Sequence, residues 1–223
     1  MSPLTKNINA ILKKIDSIKK SKNINRPIQV LVASKYASIE DLRTLSKSGI
    51  TLFGENKLQS FLEKKDAVDN AHWHMIGHLQ KNKVKKAVAH FECIQSIDSL
   101  ALLEKINICA KESNKKISGL IQVNIAKDEK KHGFSASEVE RNKEKLFSFS
   151  NVKIRGIMTI VPYLEDKKKL RIYFKNMKAL FELLKQDNCE IDTLSMGMSH
   201  DFDIAIEEGA TLLRLGRIIF KGA

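Results

Sequence analysis

Hydrophobic positions along this chain recur on two alternating periods. The opening follows the longer one: Leu4, Ile8, Ile11, Leu12, Ile15 and Ile18 fall at helical spacing and predict an amphipathic helix. The run 28–33 is apolar apart from Gln29, which suits a buried strand. From there one theme repeats: a short apolar run, a polar turn, and a longer stretch of helical periodicity. The short runs centre on 30–33, 51–53, 73–76, 92–95, 120–123, 154–158, 191–194 and 212–215. Between them, segments such as 39–48, 100–111, 136–147 and 170–184 read as helices. Strict alternation of strand and helix implies a parallel sheet, because each parallel crossover needs a connection that a helix supplies. Eight units predict an α/β fold, a single (β/α)8 TIM barrel with an extra N-terminal helix, organised as one domain over 1–223. An open doubly wound sheet is the alternative. No Gly-x-Gly-x-x-Gly follows the first strand and no Gly-Lys-Ser/Thr loop is present, which counts against it.

Length and composition narrow the class. A chain of 223 residues, 43% hydrophobic, buries one continuous core, and no Pro/Gly/Ser-rich linker divides it. No stretch approaches the roughly 18 uninterrupted apolar residues of a membrane span, and the N-terminus lacks the apolar block of a signal peptide. The expectation is a cytoplasmic protein that does not enter a membrane. Cys93, Cys109 and Cys189 are odd in number and widely spaced, which suits buried reduced thiols better than disulfides or a zinc site.

The net charge of +13 is a field that phosphates, nucleic acid or an anionic membrane surface would feel. Only seven of the 39 basic residues are Arg, the lysines are scattered, and no aromatic residues interleave with the densest group, Lys81, Lys83, Lys85 and Lys86. A solvated lysine surface accounts for this better than a nucleic-acid site. A helix there would bring Lys81 and Lys85 together at i,i+4.

In a barrel, chemistry collects at the C-terminal ends of the strands. The residues that follow the apolar runs are Ser34 and Lys35, then Gly54, Glu55 and Asn56, then Gly77 and His78. Ser96 and Asp98, Asn124, Thr159, the stretch Ser195-Met196-Gly197-Met198-Ser199, and Gly216-Arg217 complete the rim. Small residues and single polar groups at one rim suit a compact, phosphorylated ligand. Lys35 ends an apolar strand, and burial there would lower its pKa and make the amine a nucleophile toward an aldehyde. Gly197, Gly216 and the Ser199 hydroxyl can present donors to a phosphate, with helix starts at Asp201 and after Arg217 adding a favourable dipole.

Seven ordered stretches make the chain recognisable. They are Ser34-Lys35; Phe53-Gly54-Glu55-Asn56; His74-Met75-Ile76-Gly77-His78-Leu79-Gln80-Lys81-Asn82-Lys83; Lys131-His132-Gly133-Phe134; Gly156-Ile157-Met158-Thr159-Ile160; Leu194-Ser195-Met196-Gly197-Met198-Ser199; and Ala205-Ile206-Glu207-Glu208-Gly209-Ala210. With Arg214-Leu215-Gly216 they resemble the pyridoxal-phosphate homeostasis protein family from about 30 to 222. The resemblance implies a barrel of the alanine-racemase type that binds pyridoxal 5'-phosphate, with Lys35 matching the lysine that forms the Schiff base. It matches Ser199, Gly216 and the backbone of Arg217 to the phosphate, Arg214 to the pyridine nitrogen, and Asn56 to the ring. It further implies a mostly monomeric carrier or regulator of the vitamin B6 pool without established catalysis, one that could pass the cofactor to acceptor apo-enzymes. The rival is a pyridoxal-phosphate-dependent, amino-acid racemase-like enzyme. Against it, the racemases draw a second base, a tyrosine, from an additional domain of the partner subunit, and with only the tail 218–223 after the eighth strand no such domain is expected here. No catalytic residue is assigned.

Three positions depart from the family pattern: Arg217 stands where Thr is usual, Tyr36-Ala37 replaces a Thr-bearing continuation, and His200 stands where an acidic residue is common. His72 and His74 share a face if Trp73 lies in a strand, but no carboxylate or Cys nearby completes a ligand set, so no metal site is expected. His78 and His132 read as rim and loop residues rather than a catalytic pair.

Overall fold

A computed structural model describes residues 2–221; Met1, Gly222 and Ala223 lie outside the described residues. Eight parallel strands close into a barrel in sequence order: β1 (Gln29–Ala33), β2 (Leu52–Glu55), β3 (His72–Met75), β4 (Cys93–Ile97), β5 (Ile117–Gln122), β6 (Val152–Met158), β7 (Thr193–Ser195) and β8 (Leu212–Leu215). The closing pair sets Gln29 opposite Leu212 and Val32 opposite Leu215. Among the described residues ten α-helices surround them: α1 (Pro3–Ser21), α2 (Ile39–Lys47), α3 (Leu58–Leu62), α4 (Val84–His90), α5 (Leu100–Glu112), α6 (Ala136–Arg141), α7 (Lys143–Phe147), α8 (Lys167–Asp187), α9 (Phe202–Glu207) and α10 (Arg217–Lys221).

The predicted barrel and N-terminal helix are present. Ser2 caps α1 by accepting the Thr5 N–H at 3.1 Å, and Pro3 starts the helix where its missing N–H costs nothing. Its buried stripe, Ile8, Ile11 and Ile15, packs toward α2, α9 and α10. Strand alternation divides the core. Val32, Phe53, Trp73 and Ile94 join the large cluster shared with the helices, so they face outward. Leu31, Ile76 and Leu212 form one small inner cluster, and Cys93, Leu120 and Met158 another. Gly54 faces inward as well: a Cβ there would lie 2.5 Å from Leu31 and 2.9 Å from Ile76.

Three sequence expectations need correction. The segment 136–147 is two short helices, because the Asn142 side chain donates to the Glu138 carbonyl at 2.7 Å and competes with regular helical bonding. Lys81 does not share a helix with Lys85, since Lys81–Lys83 forms a 3-10 turn and α4 begins only at Val84. Cys93 and Cys109 are buried, but Cys189 is exposed, in the polar turn after α8.

Candidate functional site

Barrel closure between β8 and β1 gathers the expected site residues into one arc of the rim. Lys35 sits in the 3-10 turn Ser34–Tyr36 directly after β1. On one side, Ala33 pairs with Gly54, and Asn56 follows two residues later. On the other, Val32 pairs with Leu215, and Gly216 comes next. Gly216 packs so closely on β1 that a Cβ would meet the Ala33 Cβ at 3.3 Å and its carbonyl oxygen at 3.4 Å. Ser199 reaches the same corner from the β7 loop, its Oγ accepting the Ile218 N–H of α10 at 3.2 Å.

The turn that carries Lys35 is anchored by a buried ion pair. Glu55, 1% exposed, accepts from Ser34 Oγ at 2.9 Å and from Lys64 Nζ at 3.1 Å through Oε1. Its Oε2 accepts the Asn56 N–H at 2.9 Å, and Lys64 Nζ also donates to the Ser34 carbonyl at 2.8 Å. One carboxylate thus ties together the neighbours of Lys35 and Asn56. Lys35 itself is exposed, not buried at the end of its strand as the sequence suggested. Its Nζ lies 4.9 Å from the centre of the Tyr36 ring. The Tyr36 phenol is shifted below its ordinary pKa by its hydrogen bond with Lys35 and by that lysine's charge.

Arg214 is buried inside the barrel at the head of a directional hydrogen-bond chain. Its Nη1 donates to Ser195 Oγ at 2.6 Å, and Ser195 donates to Gln95 Oε1 at 2.8 Å. Gln95 Nε2 lies 2.9 Å from His74 Nδ1, which therefore accepts. The second guanidinium nitrogen donates to the Thr159 carbonyl at 2.6 Å, and the Thr159 hydroxyl donates to the Val123 carbonyl at 2.7 Å. Burial lowers the Arg214 pKa to about 10, partly offset by the charge of Asp201, so the group stays cationic at neutral pH. Burial also lowers His74 to about 4, with the charge of His72 adding to the shift, which keeps its imidazole neutral as the chain requires.

The two departures at this corner touch each other. Arg217 Nη1 lies 3.1 Å from His200 Nε2, and Tyr163 meets the His200 ring edge-on at 5.4 Å. Beside His200, Asp201 accepts the Met198 N–H and closes the loop that leads into α9. Across the mouth, a cavity of about 540 Å³ is lined by Asn56, Ile76, Gly77, Val123 and Ile160 among others. Gly77 is required there, since a Cβ would fall 2.3 Å from the Asn56 carbonyl oxygen. Sequence reasoning named the arc but missed the anchors behind it. Ser195 appeared only within a motif, and Gln95, Glu55 and Lys64 were unremarked as supports. A polar residue at an inward position of an otherwise apolar strand is the signal that marks Gln95. His72 and His74 are not a joint ligand pair: His72 Nδ1 meets Glu92 at 2.9 Å and His74 belongs to the Arg214 chain.

Known proteins share both the sequence and this architecture. The family model for the alanine racemase N-terminal domain matches residues 8–223. The pyridoxal phosphate homeostasis protein of Aquifex aeolicus is 40% identical over 195 residues, 86% of this chain and 86% of that protein. Its namesake in Synechocystis is 36% identical over 86% of this chain and 90% of that protein. PipY of Synechococcus elongatus, solved with pyridoxal phosphate bound, superposes with a TM-score of 0.80 at 30% identity, covering 92% of this chain and 99% of that one. Alanine racemase of Clostridium difficile gives a TM-score of 0.79 at 15% identity over 96% of this chain and 59% of that enzyme, a likeness of fold. Sequence match, barrel closure and the ordered rim motifs agree, and this chain belongs to the pyridoxal phosphate homeostasis protein family, on the barrel of the alanine racemase N-terminal domain.

Proposed function

We propose that this protein is a cytoplasmic, monomeric carrier that holds pyridoxal 5'-phosphate through a Schiff base on Lys35 and yields it to acceptor apo-enzymes. The observation that carries the reading is the β8–β1 closure, which packs Gly216 against Ala33, two residues before Lys35, while Ser199 bonds the start of α10 that follows Gly216. The residues fit the group. Bound pyridoxal phosphate supplies an aldehyde, to which the Lys35 amine adds with loss of water. Ser199, the backbone N–H groups at Gly216 and Arg217, and the Arg217 guanidinium offer donors to the phosphate. A Cβ at Gly216 would crowd Ala33 of β1, and its absence leaves that backbone open to a ligand. Asn56 borders the ring's place. Arg214 only donates hydrogen bonds, so opposite the pyridine nitrogen it favours the unprotonated ring.

The test is borohydride reduction of cofactor-loaded protein followed by peptide mapping. The pyridoxyl group is expected on Lys35, and Lys35→Ala is expected to stay folded without covalent cofactor, because truncating an exposed side chain opens no core cavity. A label on any other lysine refutes the assignment. The racemase-like alternative draws on the match to the alanine racemase N-terminal domain and on a likeness of fold at 15% identity. Exchange of amino-acid α-protons in deuterated water at about 1 per second or faster, abolished by Lys35→Ala, would favour it over the carrier.

A further inference from the structure

A second cluster stands on the rim, outside the arc that holds Lys35. His78 lies just past β3, Asp98 directly past β4, and His132 in the connection after β5, so three consecutive strands each deliver one group. His78 Nδ1 is 3.0 Å from Asp98 Oδ2. The imidazoles of His78 and His132 stack with centroids 4.1 Å apart and planes 16° apart. One ligand atom from each of the three residues lies within 4.8 Å of the other two.

The surroundings fix the backbone that carries His132 and the orientation of Asp98. The His132 carbonyl accepts from Gln122 Nε2 at 2.7 Å, while Phe134 N–H donates to the Gln122 carbonyl at 2.9 Å. Gly133 between them adopts φ +130, where a Cβ would also press on the Asn124 nitrogen at 2.9 Å. The Asn124 side chain donates to the Asp128 and Lys131 carbonyls at 2.8 and 3.1 Å, folding the connection back over the rim. Asp98 receives the Ser99 hydroxyl on Oδ1 at 3.2 Å, which leaves Oδ2 to face His78. A carboxylate oriented through its other oxygen is the usual support of a metal ligand.

We propose that His78, Asp98 and His132 form a binding site for a divalent first-row transition ion, Zn²⁺ best suited, with coordination positions left open to the adjoining cavity. Two imidazoles and a carboxylate are the donor types that Zn²⁺ takes, and three protein ligands leave room for water or a small ligand. Metal–ligand lengths of about 2.0–2.2 Å place tetrahedral ligand atoms about 3.3 Å apart. The His78–Asp98 pair is already that close. Parallel stacked rings cannot both aim at one ion, so His132, which is exposed, turns out of the stack to complete the set. Lys81 and Lys131 line the same cavity and oppose a cation, although Lys131 Nζ is drawn off to the Ile160 carbonyl at 3.2 Å. Their charge sets the expected dissociation constant on the order of micromolar rather than nanomolar.

The site is independent of Lys35 and is tested without cofactor. Untagged full-length protein carrying Cys189→Ser, which removes the exposed thiol, is titrated with Zn²⁺ by calorimetry and with Co²⁺ by visible absorption. One ion per chain is expected, with His132→Ala and Asp98→Asn each weakening binding at least about tenfold and His72→Ala leaving it unchanged. Circular dichroism confirms that the variants are folded. No Zn²⁺ binding below about 1 mM, or binding that survives both His132→Ala and Asp98→Asn in folded protein, overturns the proposal.

Discussion

Replacing Glu55 by Ala isolates the anchor beneath Lys35 and has a magnitude that can be worked out. The substitution leaves the Lys64 ammonium, whose side chain is 13% exposed, with a carbonyl as its remaining partner. It also strips the Asn56 N–H of its acceptor and removes one of two acceptors from the Ser34 hydroxyl, which keeps the Gly54 carbonyl at 3.0 Å. Breaking one side of a buried ion pair costs about 3–5 kcal/mol. At roughly 2–4 °C per kcal/mol for a domain of this size, Tm should fall by about 6–20 °C. Urea denaturation should show the same loss at an unchanged slope. The double variant Glu55→Leu, Lys64→Met removes both charges together and should recover much of the loss, because neither ion is then left unpaired. A Tm for Glu55→Ala within about 2 °C of the parent, or a double variant less stable than the single one, would refute the view that this pair anchors the turn.

Other outcomes follow from the interior. Alkylation of native protein with iodoacetamide should modify Cys189 alone, since Cys109 is buried and Cys93 is buried with its thiol pushed up to about 12; mass spectrometry showing rapid modification of Cys93 would contradict this. Stability should fall as pH drops from about 6.5 toward 4: His74 is neutral in the folded chain across that window while the unfolded chain binds a proton, so stability rises with pH there. Denaturation profiles with the same slope for His74→Gln and the parent would remove His74 as the source.

The barrel was legible because its signals are periodic and repeated. Eight apolar runs separated by helical stretches fix strand number and direction, and the extra N-terminal helix announces itself through Ile8, Ile11 and Ile15. Exact ends were less legible: the seventh run was centred on 191–194, yet β7 covers Thr193–Ser195. The break at Asn142 depends on one side-chain bond that periodicity cannot register. At the site, motif order identified the arc, while burial did not behave as expected. Lys35 was read as a strand-end amine in an apolar setting, but the chain turns at Ser34 and lifts it into solvent. The polar chain from Arg214 to His74 joins residues 19 to 100 positions apart in sequence, and such a network shows only once the barrel is closed.

That network bears on how a barrel can keep a cation inside it. Isolated, a buried guanidinium is costly, and a bonded carboxylate is the common remedy. Here no carboxylate bonds Arg214 directly among the described residues; Asp201 acts through its charge, while neutral dipoles take the hydrogen bonds. Each link in the chain points the same way, from guanidinium to hydroxyl to amide to imidazole, so every dipole turns its negative end toward the charge. Such an arrangement holds the guanidinium without neutralising it. A carboxylate bonded to Arg214 would cancel the field that the barrel mouth receives, whereas aligned neutral groups preserve it. Arg214, held by neutral partners inside the barrel, keeps its charge undiminished by any bonded carboxylate.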